Sequence, residues 1–141
     1  MIIIFDQENQ LHTKFKTMKI VKFILSLLFG LMFINAGLNK FLNYMPMPEL
    51  TAEQMKLFGA MAEIRYLMPL VGAIELIGGL LFIFPKTRAL GAIVIFPVMV
   101  GIILHNALFE PSGLMIALPF FVINLWIIAD NWNKYKPMVC S

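Results

Sequence analysis

Apolar and polar positions divide the chain into long apolar runs separated by short polar stretches. A membrane-crossing helix needs roughly 20 mostly apolar residues at about 1.5 Å each. Residues 20–42, 67–84, 89–109 and 114–129 meet that need once a few polar residues inside them are allowed. The last run is the shortest, and Trp126 and Trp132 at its far end suit an interfacial aromatic belt. The second and third runs are joined only by PKTR (85–88), and the third and fourth only by EPSG (110–113). Connections this short make neighbouring helices antiparallel. The pattern predicts an all-α polytopic membrane protein: an antiparallel bundle of four transmembrane helices.

The stretch from 43 to 66 has its own punctuation. Pro46 and Pro48 lack the amide donor that a continuing helix requires. TAEQ (51–54) then offers a capping box, with Thr51 as N-cap and Gln54 reaching back. Met55, Phe58, Met61, Ala62 and Arg65 follow at helical spacing, which predicts a short amphipathic helix in the first outer loop. A lid over the bundle mouth and a float on the membrane surface both fit this pattern.

Composition supports the membrane reading. Hydrophobic residues make up 60% of the 141 and charged residues 13%, against about 45–50% and about 25% in soluble proteins. A soluble fold of this size has too little interior to hide that surface. The formal net charge of +3 does not point to nucleic acid, because the basic residues are scattered and no aromatic–basic interleaving accompanies them. Their placement reads instead as topology. Lys14, Lys16, Lys19, Lys22, Lys86, Arg88, Lys134 and Lys136 fall on one side, against Lys40, Lys56 and Arg65 on the other. By the positive-inside rule both termini face the cytoplasm of a bacterial inner membrane.

The chain then divides into a cytoplasmic leader over 1–18, read as disordered, a transmembrane domain over 19–132 and a cytoplasmic tail over 133–141. MKIVKFILSLLFG (18–30) imitates the start of a signal peptide, but no small-x-small cleavage site follows, so a retained helix is expected. Met18 would open that pattern naturally, which leaves an over-extended gene start as the alternative reading of residues 1–17. The single cysteine, Cys140, allows neither a dithiol centre nor an intrachain disulfide. No metal-ligand spacing, phosphate-binding glycine loop, nucleophile elbow or internal repeat is present, so no catalytic or metal residues are assigned.

The chemistry that remains lies at membrane depth. Glu75 sits in the otherwise apolar LMPLVGAIELIGGLLFIF (67–84), and Asn35, Asn39, His105, Asn106 and Asn124 interrupt the other runs. Helical rise from the outer boundary places Asn35 at ~10 Å, Asn39 at ~5 Å, Glu75 at ~12 Å, His105 at ~6 Å and Asn124 at ~15 Å. Gly72, Glu75 and Gly79 share a small-residue stripe where another helix can approach, and Pro97, Gly101 and His105 line up similarly. Lys40 can snorkel to the head groups or reach Glu75. Glu75, Asn35, Asn39, Lys40, His105 and Asn124 are therefore the candidate ligand-binding residues. Interhelical hydrogen bonding by Glu75 is the structural alternative.

GLNKF (37–41), ELIGGLLFIFPKTRALGA (75–92) and LHN (104–106) resemble the DoxX-like family of small four-helix bacterial membrane proteins. The likeness covers 18–132, and its most specific part is the glutamate followed by paired glycines and a basic turn. It implies an inner-membrane bundle. Some members of that family are linked to respiratory quinone chemistry as thiosulfate–quinone oxidoreductase subunits, or to membrane complexes that handle oxidative stress. Lys40 and Glu75 match its recurrent polar positions, and His105 matches less closely. This chain carries no cysteine pair, no haem-ligand pair at matched depth and no soluble catalytic domain. The resemblance therefore implies a quinone- or small-molecule-binding subunit of a membrane redox system, working with membrane or periplasmic redox proteins, with homo-oligomerisation open. A non-catalytic scaffold for partner proteins is the alternative. A small-solute transporter fits less well, because four helices without repeats make a poor alternating-access device.

Overall fold

A computed structural model describes residues 1–140. Six α-helices follow one another: α1 (Ile2–Leu42), α2 (Ala52–Glu63), α3 (Leu67–Ile83), α4 (Arg88–Phe109), α5 (Leu114–Asp130) and α6 (Trp132–Val139). A 3-10 turn, Pro111–Gly113, leads into α5. Helices α1, α4 and α5 with its preceding turn are long and apolar enough to cross a membrane. Helix α3, joined to α2 at a bend of 89°, brings the number of spans to as many as four. Only 17% of the most apolar stretch of α4 is buried inside the protein. Leu90, Ile93, Leu104 and Leu108 of α4 are exposed, an outward apolar surface suited to lipid, not water.

Residues 2–17, expected as a disordered leader, continue α1 without a break. No proline or glycine precedes Gly30, and Gln, Glu, Leu and Lys are good helix formers. Local bonds reinforce the segment: Thr13 and Thr17 donate to the carbonyls of Asn9 and Thr13 at 2.8 and 2.9 Å. Residues 1–21 are all exposed. Helical propensity, with no support from the bundle, accounts for this part of α1.

Helices α1 and α3 run antiparallel at very short range, and glycine is the reason. A Cβ on Gly37 would lie 2.7 Å from the Gly72 carbonyl oxygen, and one on Gly79 would lie 2.8 Å from that of Gly30. The seven-residue spacing on both helices keeps these small positions on one seam. Beside the seam, Phe29, Phe33, Phe82, Ala92, Ile95, Met99 and Ile127 form the core. Phe29 stacks on Phe82 with ring centroids 4.1 Å apart and meets Phe120 of α5 at 5.8 Å. Helix α3 packs on α4 and α4 on α5, while Phe29–Phe120 and Lys22–Asp130 close α5 back onto α1.

The end of the bundle that carries Lys86, Arg88 and Lys134 is tied down by backbone capping. Thr87 Oγ1 donates to the Leu81 carbonyl at 2.8 Å. Arg88 donates through Nε to Phe82 and through Nη2 to Ile83, each at 3.1 Å. These bonds satisfy carbonyls that the C-terminus of α3 leaves without helical partners. Arg88, read from sequence as a topological charge, is buried by this role. The Tyr135 hydroxyl of α6 donates to the Ala89 carbonyl at 2.5 Å, and burial pushes its phenol pKa up.

At the opposite, loop end, Asn43 closes α1 in the left-handed conformation (φ 49°), which asparagine tolerates better than most residues. Helix α2 then begins with the expected capping box. Gln54 N donates to Thr51 Oγ1 at 3.2 Å, and Thr51 N donates to Gln54 Oε1 at 3.0 Å.

Candidate functional site

Lys40 stands on α1 two residues before its end, on the side that meets α3. Gly72 makes room for it: a Cβ there would meet Lys40 Cβ at 3.2 Å and Phe41 Cε2 at 3.0 Å. The lysine stem therefore passes over Gly72, and Nζ donates to Glu75 Oε2 at 2.7 Å. The Glu75 side chain is 4% exposed and that of Lys40 20%. A lone carboxylate at this depth would be strongly disfavoured, and the ammonium compensates it.

One N–H of the Lys40 ammonium is spent on Glu75, and a lysine carries three. Lys40 also lines a cavity of about 500 Å³ at the loop end. Phe58 and Met61 of α2 roof this cavity. Met68, Val71 and Ile74 of α3 form one wall, and Pro97, Val98 and Gly101 of α4 form the other. His105 adds the second polar group, held between aromatic rings, with centroids 6.0 Å from Phe58 and 5.6 Å from Phe109. The lining is apolar apart from this cation and this imidazole. It can hold an apolar molecule and hydrogen-bond an acceptor at one end of it. No hydroxyl or thiol lines it, and no group of three His, Cys, Asp or Glu residues able to hold a metal occurs among the described residues.

The structure brings Lys40, Glu75 and His105 to one place and leaves the three asparagines elsewhere. Asn35 and Asn39, expected beside Glu75, lie on another face of α1 and fasten the loop that leaves it. The Tyr44 hydroxyl donates to the Asn35 carbonyl oxygen at 3.0 Å and also bonds its side-chain oxygen. Met45 N donates to Asn39 Oδ1 at 2.9 Å. The reason is helical phase: Gly30, Phe33, Gly37 and Lys40 make the stripe that meets α3, and Asn35 and Asn39 fall outside it. Asn124 is fully buried but far along α5, where its Nδ2 donates to the Ala92 carbonyl at 3.0 Å, one turn into α4 from the basic end. Asn106 donates to the Ile102 carbonyl of its own helix at 2.8 Å.

Sequence reasoning placed Pro97 and Gly101 on one face of α4 with His105, and all three line the cavity, but it missed the α3 wall. Met68, Val71 and Ile74 recur at spacing three and were legible as one face, but nothing in a uniformly apolar run says which face borders a cavity. Phe58 and Met61 belonged to the amphipathic stripe whose position, lid or float, was open. The structure sets that stripe over the cavity.

A family model described as methylamine utilisation protein MauE matches residues 18–109. The matched segment contains every residue that lines the cavity, together with Glu75. No curated protein and no solved structure matches the chain. The resemblance to the DoxX-like family is thereby corrected to a coarser truth, a small membrane-protein family, with the match falling on MauE and not on DoxX. With more than half of its length covered, and with helices built to cross a bilayer, the chain belongs to the MauE family of membrane proteins.

Proposed function

We propose that the chain is a quinone-binding subunit of a membrane redox system, set in the bacterial inner membrane with both termini in the cytoplasm. The observation that carries the reading is the cavity of about 500 Å³ whose otherwise apolar lining includes Lys40, ion-paired to Glu75, and His105. A quinone ring is apolar on its faces and offers carbonyl acceptors at its edge, which suits that division of labour. Glu75 holds the ammonium in place and takes up one of its donors. The eight-to-three distribution of basic residues supports the orientation. The family description, methylamine utilisation, supports a redox setting. Phe29, Phe33 and Phe82 fill the bundle between Glu75 and the basic end, which favours a blind pocket over a transport path.

A scaffold for partner proteins is the second reading, favoured by the exposed first twenty-one residues of α1. Thermal unfolding of the purified protein in mild detergent separates the two. Short-chain ubiquinone or menaquinone at a hundred times its dissociation constant should stabilise the fold by about 2.7 kcal/mol. No shift with either quinone refutes the binding reading and leaves the scaffold.

A further inference from the structure

The cavity is lined by α2 at its loop end and by exposed residues of α4 on its flank. Phe58 and Met61 of α2 lie across its loop end, with the Phe58 ring against His105. Its α4 wall, by contrast, includes Pro97 and Gly101, both exposed although they sit well inside a 22-residue apolar helix. Pro97 is the tenth residue of α4, about 13 Å from its start, and Gly101 lies about 12 Å from its end. At Gly101 a Cβ would meet nothing within 4 Å. A tightly packed helix pair would close on a glycine, as α1 and α3 close on Gly37 and Gly72. Helices α3 and α4 do close on Gly91, where a Cβ would lie 2.9 Å from the Gly78 carbonyl oxygen, but nothing closes on Gly101, and the space beside it stays open.

We infer that the pocket is loaded sideways from the bilayer, and that its ligand is a tailed quinone whose head reaches Lys40 and His105 while its hydrocarbon tail leaves over Gly101 between α3 and α4. The inference rests on the quinone-binding reading and adds the ligand's hydrocarbon tail and its route. A water-soluble ligand would need the loop end open, and α2 covers it. A ligand without a tail would leave the side gap unfilled. The polar atoms of the site lie at one end of the cavity and the gap on its flank, so a single amphiphile satisfies both.

The test uses the full chain in lipid nanodiscs with two probes, decyl-ubiquinone and the tail-less 2,3-dimethoxy-5-methylbenzoquinone. Gly101→Leu directs a side chain into the gap, where its Cβ meets nothing within 4 Å. It should weaken decyl-ubiquinone at least tenfold more than it weakens the tail-less quinone. Equal effects on both probes, or none on either, overturn the sideways route while the quinone-binding reading stands. If neither probe binds the wild type, both fall. A decyl-ubiquinone analogue with a diazirine at the tail end gives a readout that needs no variant. Labelling at Pro97 to Gly101 supports the route, and labelling confined to Phe58 and Met61 overturns it. Labelling competed away by excess phosphatidylethanolamine but not by unlabelled decyl-ubiquinone assigns the gap to bilayer lipid and also overturns it.

Discussion

Removing either partner of the Lys40–Glu75 pair should have unequal consequences, and the inequality follows from the geometry. In Lys40→Met the Glu75 carboxylate, 4% exposed, keeps no partner, because Lys40 supplies its side-chain hydrogen bond. Stranding one member of a buried pair costs about 3–5 kcal/mol. In Glu75→Leu the remaining lysine is 20% exposed and stands two residues from the end of α1, about 3 Å from the helix terminus. Its stem can turn toward the head groups, so the cost falls to about 1–2 kcal/mol. The double variant buries two apolar side chains in place of the ions and should lie within about 1 kcal/mol of wild type. The cycle is thus non-additive by about 3 kcal/mol or more. Steric trapping in bicelles measures these differences at equilibrium. Costs that add within about 0.5 kcal/mol, or a Lys40→Met variant more stable than Glu75→Leu, would refute the idea that lysine compensates a buried charge.

The remaining expectations are simpler to check. Glu75→Gln keeps shape and hydrogen bonding, so insertion and folding should survive while quinone-dependent stabilisation drops at least tenfold in affinity; an unchanged titration makes Glu75 structural only. Gly37→Val should separate α1 from α3 and cost about 2 kcal/mol or more through overpacking, whereas Gly101→Ala should be neutral or stabilise by up to about 1 kcal/mol; equal outcomes in thermal unfolding contradict the seam. Tyr135→Phe should cost about 1 kcal/mol. Because burial raises the folded-state pKa above its ordinary value of 10.0, the wild-type advantage is present below pH 10 and fades above it, as a pH series of melting curves would show. A carboxy-terminal alkaline phosphatase fusion should be inactive, and high activity overturns the proposed orientation.

Sequence by itself determined the class of the protein, because the cost of burying backbone and side chains in hydrocarbon leaves few alternatives for runs this apolar. It also located α2 through the Thr51–Gln54 capping box, a purely local device. It marked Glu75 as needing compensation, since an ionised group in such a run is costly wherever the helix turns. What it left open was azimuth. Asn35 and Asn39 share a face of α1, and so do Gly37 and Lys40, but which face meets α3 depends on where Gly72 and Gly79 let the two backbones touch. The same contact made Lys40 the partner of Glu75 and assigned the asparagines to the loop. Arg88 carried only a charge in the sequence, and became a cap once the turn placed its guanidinium under the last carbonyls of α3. The cavity was only half legible: Pro97, Gly101 and His105 share a face of α4 in the sequence, but that Met68, Val71 and Ile74 of α3 stand opposite them depends on how the helices pack.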